Sequence, residues 1–137
     1  MMMKKIEIAP CHGVPVVFDP RQRTISEARG IWRWKKIFVG PQFLGFDDRE
    51  QQALLLHELG HCKLRHLEKR LLRLWLIVIP SRLRALCVEQ EFEADLFAAR
   101  CGFGPALAGV FMRLRAHDDS PLHPELQSRI ERLLSAS

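Results

Sequence analysis

Several features that would place a small protein in a familiar class are missing from this sequence. Its 137 residues contain four cysteines, but no C-x-x-C pair and no spacing typical of a disulfide framework, so reduced thiols are expected. The net charge of +5 is not accompanied by a basic tail, a finger or an aromatic-rich basic strand, and we therefore expect no nucleic-acid partner. There is no internal repeat or low-complexity tract, and the length fits a single domain, 1–137.

Long hydrophobic runs are also missing. The apolar run Leu71–Ile79 is interrupted by Arg73 and ended by Pro80, whereas a membrane-spanning helix needs about 20 apolar residues. No apolar signal segment follows Met1–Lys5. We therefore expect a cytoplasmic protein. Basic residues flank the run, so peripheral contact with an anionic membrane through 71–84 is one interpretation. A buried wall of a cleft is the simpler one.

The most informative feature that is present is the pentapeptide His57-Glu58-Leu59-Gly60-His61, which reads as H-E-x-x-H. Residues four apart on a helix share a face, so His57 and His61 can point at one metal ion. Glu58 is the next residue along the helix after His57, so its side chain can reach a metal-bound water without binding the metal itself. Two imidazoles and one further protein ligand leave the fourth position of zinc open for that water. The motif therefore predicts a catalytic zinc site.

The segment around this motif favours a helix. Asp47 followed by Glu50 is typical of a capping box, and Gln51–Arg70 contains no proline. We expect one continuous helix over this range. Leucines and an alanine surround the first histidine on nearly every side, and a helix that is apolar all round is usually buried.

A second acidic motif, Glu91-x-x-Ala94-Asp95, can supply the missing ligand. Glu91 and Asp95 are four residues apart and share a helical face. Glu91 is the candidate third ligand, and Asp95 is placed to accept a hydrogen bond from a ligand histidine. The alternative interpretation is a solvated acidic helix face, which would also include Glu89 and Glu93.

Together these motifs resemble the gluzincin metallopeptidases of the CAAX prenyl endopeptidase and HtpX type, in a short soluble form. That family typically shows H-E-L-G-H, a further histidine five residues on (here His66), and then E-x-x-A-D. The resemblance implies a zinc endopeptidase with one zinc ion held by His57, His61 and Glu91, and with Glu58 as the general base. The spanning helices of the membrane-bound relatives are missing between the motifs, which is a departure from the family.

A third similarity lies near the C-terminus, where His123-Pro124 and Arg129-Ile130 resemble the family's H-P-x-x-x-x-R-I segment. The resemblance implies that His123 and Arg129 face the metal and contact the substrate or the tetrahedral oxyanion. Taken alone, they would be read as a loop residue and a surface residue.

The pattern of short strands followed by helices predicts an α+β fold, with a small antiparallel N-terminal sheet packed on a helical bundle that carries the H-E-x-x-H site. Further helices are expected over 84–100, 105–116 and 124–134. By resemblance, the strand Ile37–Val39 would pair with an extended peptide substrate. Nothing in the sequence identifies the bond that is cleaved.

Three other interpretations stay open at this point. A regulatory metallopeptidase of the ImmA type, which cleaves a repressor, shares H-E-L-G-H and a downstream acidic helix, although the C-terminal segment fits the prenyl endopeptidases better. A zinc-stabilised binding module without turnover would have no need of Glu58. A latent proenzyme would have its cleft blocked by the Cys11–His12 segment or by the C-terminus.

Overall fold

A computed structural model describes residues 8–75, 80–117 and 124–136, with side chains over 8–72, 84–114 and 126–136. It contains a three-stranded sheet followed by helices, and the predicted α+β class is confirmed. Its strands and α-helices are β1 (Val16–Phe18), β2 (Ser26–Arg29), β3 (Lys36–Val39), α1 (Asp48–Lys63), α2 (His66–Trp75), α3 (Pro80–Ala98), α4 (Gly104–His117) and α5 (Pro124–Ser135).

The sheet is mixed rather than antiparallel as expected. Its order is β1-β3-β2, with β1 parallel to β3 and β2 antiparallel to it. Because β3 is hydrogen-bonded on both sides, the prediction that Ile37–Val39 pairs with a substrate is wrong. Ile37 and Val39 instead point into the core, where both are fully buried. The strand with an outward-facing edge beside the helices is β2.

Helix α1 begins with the predicted capping box. Asp47 Oδ1 accepts from the Glu50 backbone N–H at 2.8 Å, and Glu50 Oε1 accepts from the Asp47 backbone N–H at 3.3 Å. The helix does not run on to Arg70 as expected. It ends at Lys63, and Arg65 adopts a left-handed conformation with φ of 56° before α2 starts at His66. Because of this break, α2 does not continue α1 as one helix, and His66 at its start lies beside His61.

Helices α1 and α3 pack closely at Gly60. A Cβ atom at Gly60 would lie 3.0 Å from the Phe97 Cβ and 3.1 Å from the Ala94 Cα. Ala94 and Ala98 are fully buried, as their small size predicts for a close helix contact. The contact sets the H-E-x-x-H segment of α1 directly against the acidic motif of α3.

Helices α4 and α5 complete the core. The buried apolar side chains of Leu107, Val110 and Phe111 from α4 pack with those of Ile130 and Leu133 from α5 in the same cluster as the sheet and α1. This packing brings Arg129 of α5 towards α3.

Among the described residues, no helix is both long enough and apolar enough to cross a membrane. The proposed membrane contact through 71–84 falls largely outside the residues whose side chains the structure describes.

Candidate metal centre

The three predicted ligands converge at the contact between α1 and α3. The Nε2 atoms of His57 and His61 lie 3.2 Å apart. Glu91 Oε2 is 3.2 Å from His57 Nε2, and Glu91 Oε1 is 3.3 Å from His61 Nε2. Both histidines are buried, whereas the Glu91 side chain is 35% exposed. The three donor groups therefore form a small triangle that opens on one side.

This triangle fits a metal ion. Zinc binds nitrogen and oxygen ligands at about 2.0–2.2 Å in a tetrahedron, so two ligand atoms of one ion are about 3.3 Å apart. The separation of the two Nε2 atoms, 3.2 Å, agrees with that value, and each Nε2 has a Glu91 oxygen at a similar distance, Oε2 beside His57 and Oε1 beside His61. Two imidazoles and one carboxylate are also a donor set that catalytic zinc sites use. The arrangement can hold a metal ion, and the fourth position would face the cleft.

Glu58 is the second carboxylate near the histidines. His57, Glu58 and His61 form a group of potential ligand atoms that all lie within 4.8 Å of one another. However, both oxygens of Glu58 are engaged with β2. Ser26 Oγ donates to Glu58 Oε1 at 2.9 Å, and the Ala28 backbone N–H donates to Glu58 Oε2 at 2.9 Å. Glu91 is thus the better-placed ligand, and Glu58 is held between α1 and the sheet edge.

Asp95 lies behind His57, as its spacing predicts. Its Oδ1 atom is 2.8 Å from His57 Nδ1, although the imidazole is turned so that the N–H direction does not give a linear hydrogen bond. Arg129 binds Asp95 with two hydrogen bonds, at 2.7 and 2.8 Å, and its Nη2 is 3.3 Å from Glu91 Oε2. Arg129 therefore reaches the site through these two carboxylates. His123 lies outside the described residues.

These contacts set the charge of the site. Burial alone would lower the pKa of His57, but Asp95 and Glu91 outweigh it and raise the pKa to about 10. Burial acts to raise the pKa of Glu91, yet its contacts with His57 and His61 bring it far below the usual range. The pKa of Asp95 is likewise lowered, against the effect of burial, by Arg129 and His57. The site stabilises a positive charge at the triangle, which a proton on His57 or a metal ion can supply.

His61 has a partner that the H-E-x-x-H spacing does not predict. His66 is fully buried, and its Nδ1 lies 2.8 Å from His61 Nδ1. Its Nε2 is 3.4 Å from Glu93 Oε2, and its backbone carbonyl accepts from Gln90 Nε2 at 3.1 Å. Burial and the nearby His61 hold the pKa of His66 below its ordinary value. Outside the family resemblance, the sequence carried no signal for this contact.

The site opens into a cavity of about 480 Å³. One wall is formed by residues 24–28, on and just before β2, and another by Leu54, Phe111 and Leu114. His57, Glu58, His61 and Glu91 lie on its surface. A larger cavity of about 740 Å³ runs between α3 and α5, but of the candidate site residues only Asp95 reaches it. The smaller cavity is therefore the candidate cleft.

In comparisons with protein-family models, with curated proteins and with solved structures, no match to this chain was found.

Proposed function

We propose that the protein is a zinc-dependent endopeptidase, with one zinc ion bound by His57, His61 and Glu91. The observation that carries the proposal is the triangle of three ligand groups, two imidazoles and the Glu91 carboxylate, beside Glu58 in one cleft bordered by a strand edge. A purely structural zinc site would be closed by four protein ligands, whereas the described part of the chain brings three together beside a cavity.

The chain's own residues fit the steps of peptide hydrolysis. A zinc ion in such a site supplies a water of lowered pKa and polarises the scissile carbonyl. In the proposed reaction Glu58 would accept a proton from the attacking water and pass it to the leaving amine. Its bonds to Ser26 and Ala28 fix the carboxylate in one orientation, which limits the reorganisation needed in the reaction.

The sheet edge offers a way to bind the substrate. β2 lies at the edge of the described sheet and lines the cavity, so an extended peptide can add to it as a further strand, through backbone groups other than the Ala28 N–H that Glu58 occupies. This assignment replaces the one to β3, whose hydrogen bonds are used within the sheet. Direct contacts of His123 and Arg129 with the oxyanion stay a prediction, since the described contacts of the Arg129 guanidinium are with Asp95, Glu91 and the Phe111 ring.

The proposal is tested by metal analysis together with digestion of a proteome-derived peptide library. The wild type is expected to hold one zinc ion per chain and to cleave peptides. Glu58→Gln should keep the zinc and lose cleavage by about 100-fold or more, because an amide cannot take the proton. His61→Ala should lose the zinc. If Glu58→Gln cleaves as fast as the wild type, the activity does not come from this site.

A zinc-stabilised binding module is the second candidate. The observation in its favour is that both oxygens of Glu58 are hydrogen-bonded to Ser26 and Ala28, which is also what a structural carboxylate would do. In that case the wild type would bind zinc and show no cleavage of any library peptide, and Glu58→Gln would change only stability.

A further inference from the structure

We propose that His66 is a positioning residue of the metal centre, which fixes His61 in the tautomer and orientation that metal binding needs. The proposal rests on the metal site of the proposed function and not on its peptidase activity. In it, His66 Nδ1 accepts the Nδ1 proton of His61, so that the lone pair of His61 Nε2 is directed towards Glu91 and His57.

The geometry of His61 requires such an acceptor. His61 Nε2 faces the other two donor groups, at 3.2 Å from His57 Nε2 and 3.3 Å from Glu91 Oε1. A neutral imidazole that offers its Nε2 lone pair carries its proton on Nδ1. That proton points at His66 Nδ1, which is 2.8 Å away. The ring nitrogen of His66 is therefore the acceptor for His61.

The same reasoning fixes the proton on His66. An imidazole that accepts at Nδ1 carries its own proton on Nε2. The group next to His66 Nε2 is Glu93 Oε2, at 3.4 Å. The result is a chain of partners from Glu93 through His66 to His61, opposite the pair Asp95 and Arg129 that supports His57. Each metal-facing imidazole then has its own support.

His66 is itself held in place by the fold. Its side chain is fully buried, and its backbone carbonyl accepts from Gln90 of α3. In an unbroken helix, residues five apart point about 140° away from each other, so His66 could not reach His61. The left-handed Arg65 ends α1 and starts α2 in a new direction, which brings the two rings to a centroid distance of 4.9 Å.

The test compares His66→Leu with His66→Asn. The two replacements have nearly the same shape, but only Asn offers an oxygen close to the position of the lost Nδ1. Zinc affinity is measured by competition with a chelator, and the visible spectrum of the cobalt-substituted protein reports the geometry of the ligands. His66→Leu is expected to weaken zinc binding by about 10- to 100-fold and to change the cobalt spectrum. His66→Asn should stay close to the wild type in both.

The melting temperature of each variant without metal separates a packing role from a positioning role. If His66 only fills space, both variants lose stability while zinc affinity and the cobalt spectrum stay as in the wild type, and the proposal is overturned. If the wild type binds zinc without cleaving peptides, the peptidase assignment fails and the role of His66 stands. If the wild type binds no zinc, both fail.

A measurement on the wild type keeps the proposal testable even if the variants do not fold. Nitrogen-15 NMR of the zinc-loaded protein identifies which ring nitrogen of each histidine carries the proton. The expected result is a proton on Nδ1 of His61 and on Nε2 of His66. A proton on Nδ1 of His66 would overturn the proposal.

Discussion

At the scale of single residues, sequence spacing predicts the contacts between site residues that lie on the same helix. It does not predict contacts between residues on different elements. His57 and His61, and likewise Glu91 and Asp95, are four apart on one helix, so their common face could be predicted. Ser26 and Ala28 reach Glu58 only because a separate strand packs beside α1, and no local pattern encodes that contact.

Asp95 allows a direct test of metal support at this scale. Because it contacts both His57 and Arg129, Asp95→Asn is expected to weaken zinc binding by about 10- to 100-fold. Chelator competition measures the affinity, and a melting curve without metal measures stability. Glu89→Gln is the matched control, since Glu89 is an exposed acid on the same helix. A loss of stability with unchanged zinc affinity would show that Asp95 serves only to hold Arg129.

The raised pKa of His57 predicts the pH dependence of metal binding. Zinc binds the neutral imidazole, so a proton must leave His57, whose pKa is raised to about 10. Below that pKa the apparent affinity increases with pH, by about tenfold per unit for one displaced proton, and decreases as the pH falls. Calorimetry at pH 7 in buffers of different ionisation enthalpy should show release of at least one proton per zinc. An affinity that is flat between pH 6 and 8 would contradict this expectation.

At the scale of helices and strands, the starts of elements were easier to predict than their breaks. The capping box at Asp47 and Glu50 marks the start of α1 by local chemistry alone. No glycine or proline, the usual sequence signals of a helix end, lies at the break at Arg65, so the sequence predicts a continuous helix to Arg70. The parallel pairing of β1 with β3 was missed as well, because strands of 3 and 4 residues are too short to show a pairing pattern.

The close contact between α1 and α3 gives a prediction for Gly60. A methyl group there would lie 3.1 Å from the Ala94 Cα and 3.3 Å from the Ala94 carbonyl oxygen, and backbone atoms cannot move aside cheaply. Gly60→Ala is expected to lower the free energy of unfolding by about 1–3 kcal/mol, and to weaken zinc binding because α3 carries Glu91. Urea unfolding and zinc titration measure the two effects.

Gly109 is the matched control for this substitution. It lies within α4, and a methyl group added there would have no atom within 4 Å, so Gly109→Ala should leave zinc binding unchanged. The better helix propensity of alanine should raise the free energy of unfolding by up to about 1 kcal/mol. Equal destabilisation by both substitutions would mean that the contact at Gly60 is not a special constraint.

At the scale of the whole molecule, the α+β class could be predicted because the strand-like segments all precede the helical ones. The site draws on five separate elements: α1, α2, α3, α5 and β2. A metal ion held between α1 and α3 would bind the folded chain in preference to the unfolded one and would therefore stabilise it. At a free zinc concentration about 100 times the Kd, the gain is about 2.7 kcal/mol.

This linkage predicts the melting behaviour. The wild type is expected to melt at a lower temperature after removal of metal by a chelator, and to recover when zinc is added back. His61→Ala should melt at one temperature with or without zinc, because it lacks a ligand. A wild type whose melting is insensitive to zinc would argue against a metal ion bound between α1 and α3.

The two hydrogen bonds between Glu58 and β2 are also expected to reduce pairing of this strand with a second molecule. An edge strand with a free backbone N–H is a template for pairing with the edge of another molecule. The Glu58 carboxylate occupies the N–H of Ala28, so that group is not offered to a second chain. Glu58→Ala would expose it and should favour aggregation, whereas the amide oxygen of Glu58→Gln can still accept the bond. The residue proposed as the catalytic base would thus also limit pairing of β2 with another chain.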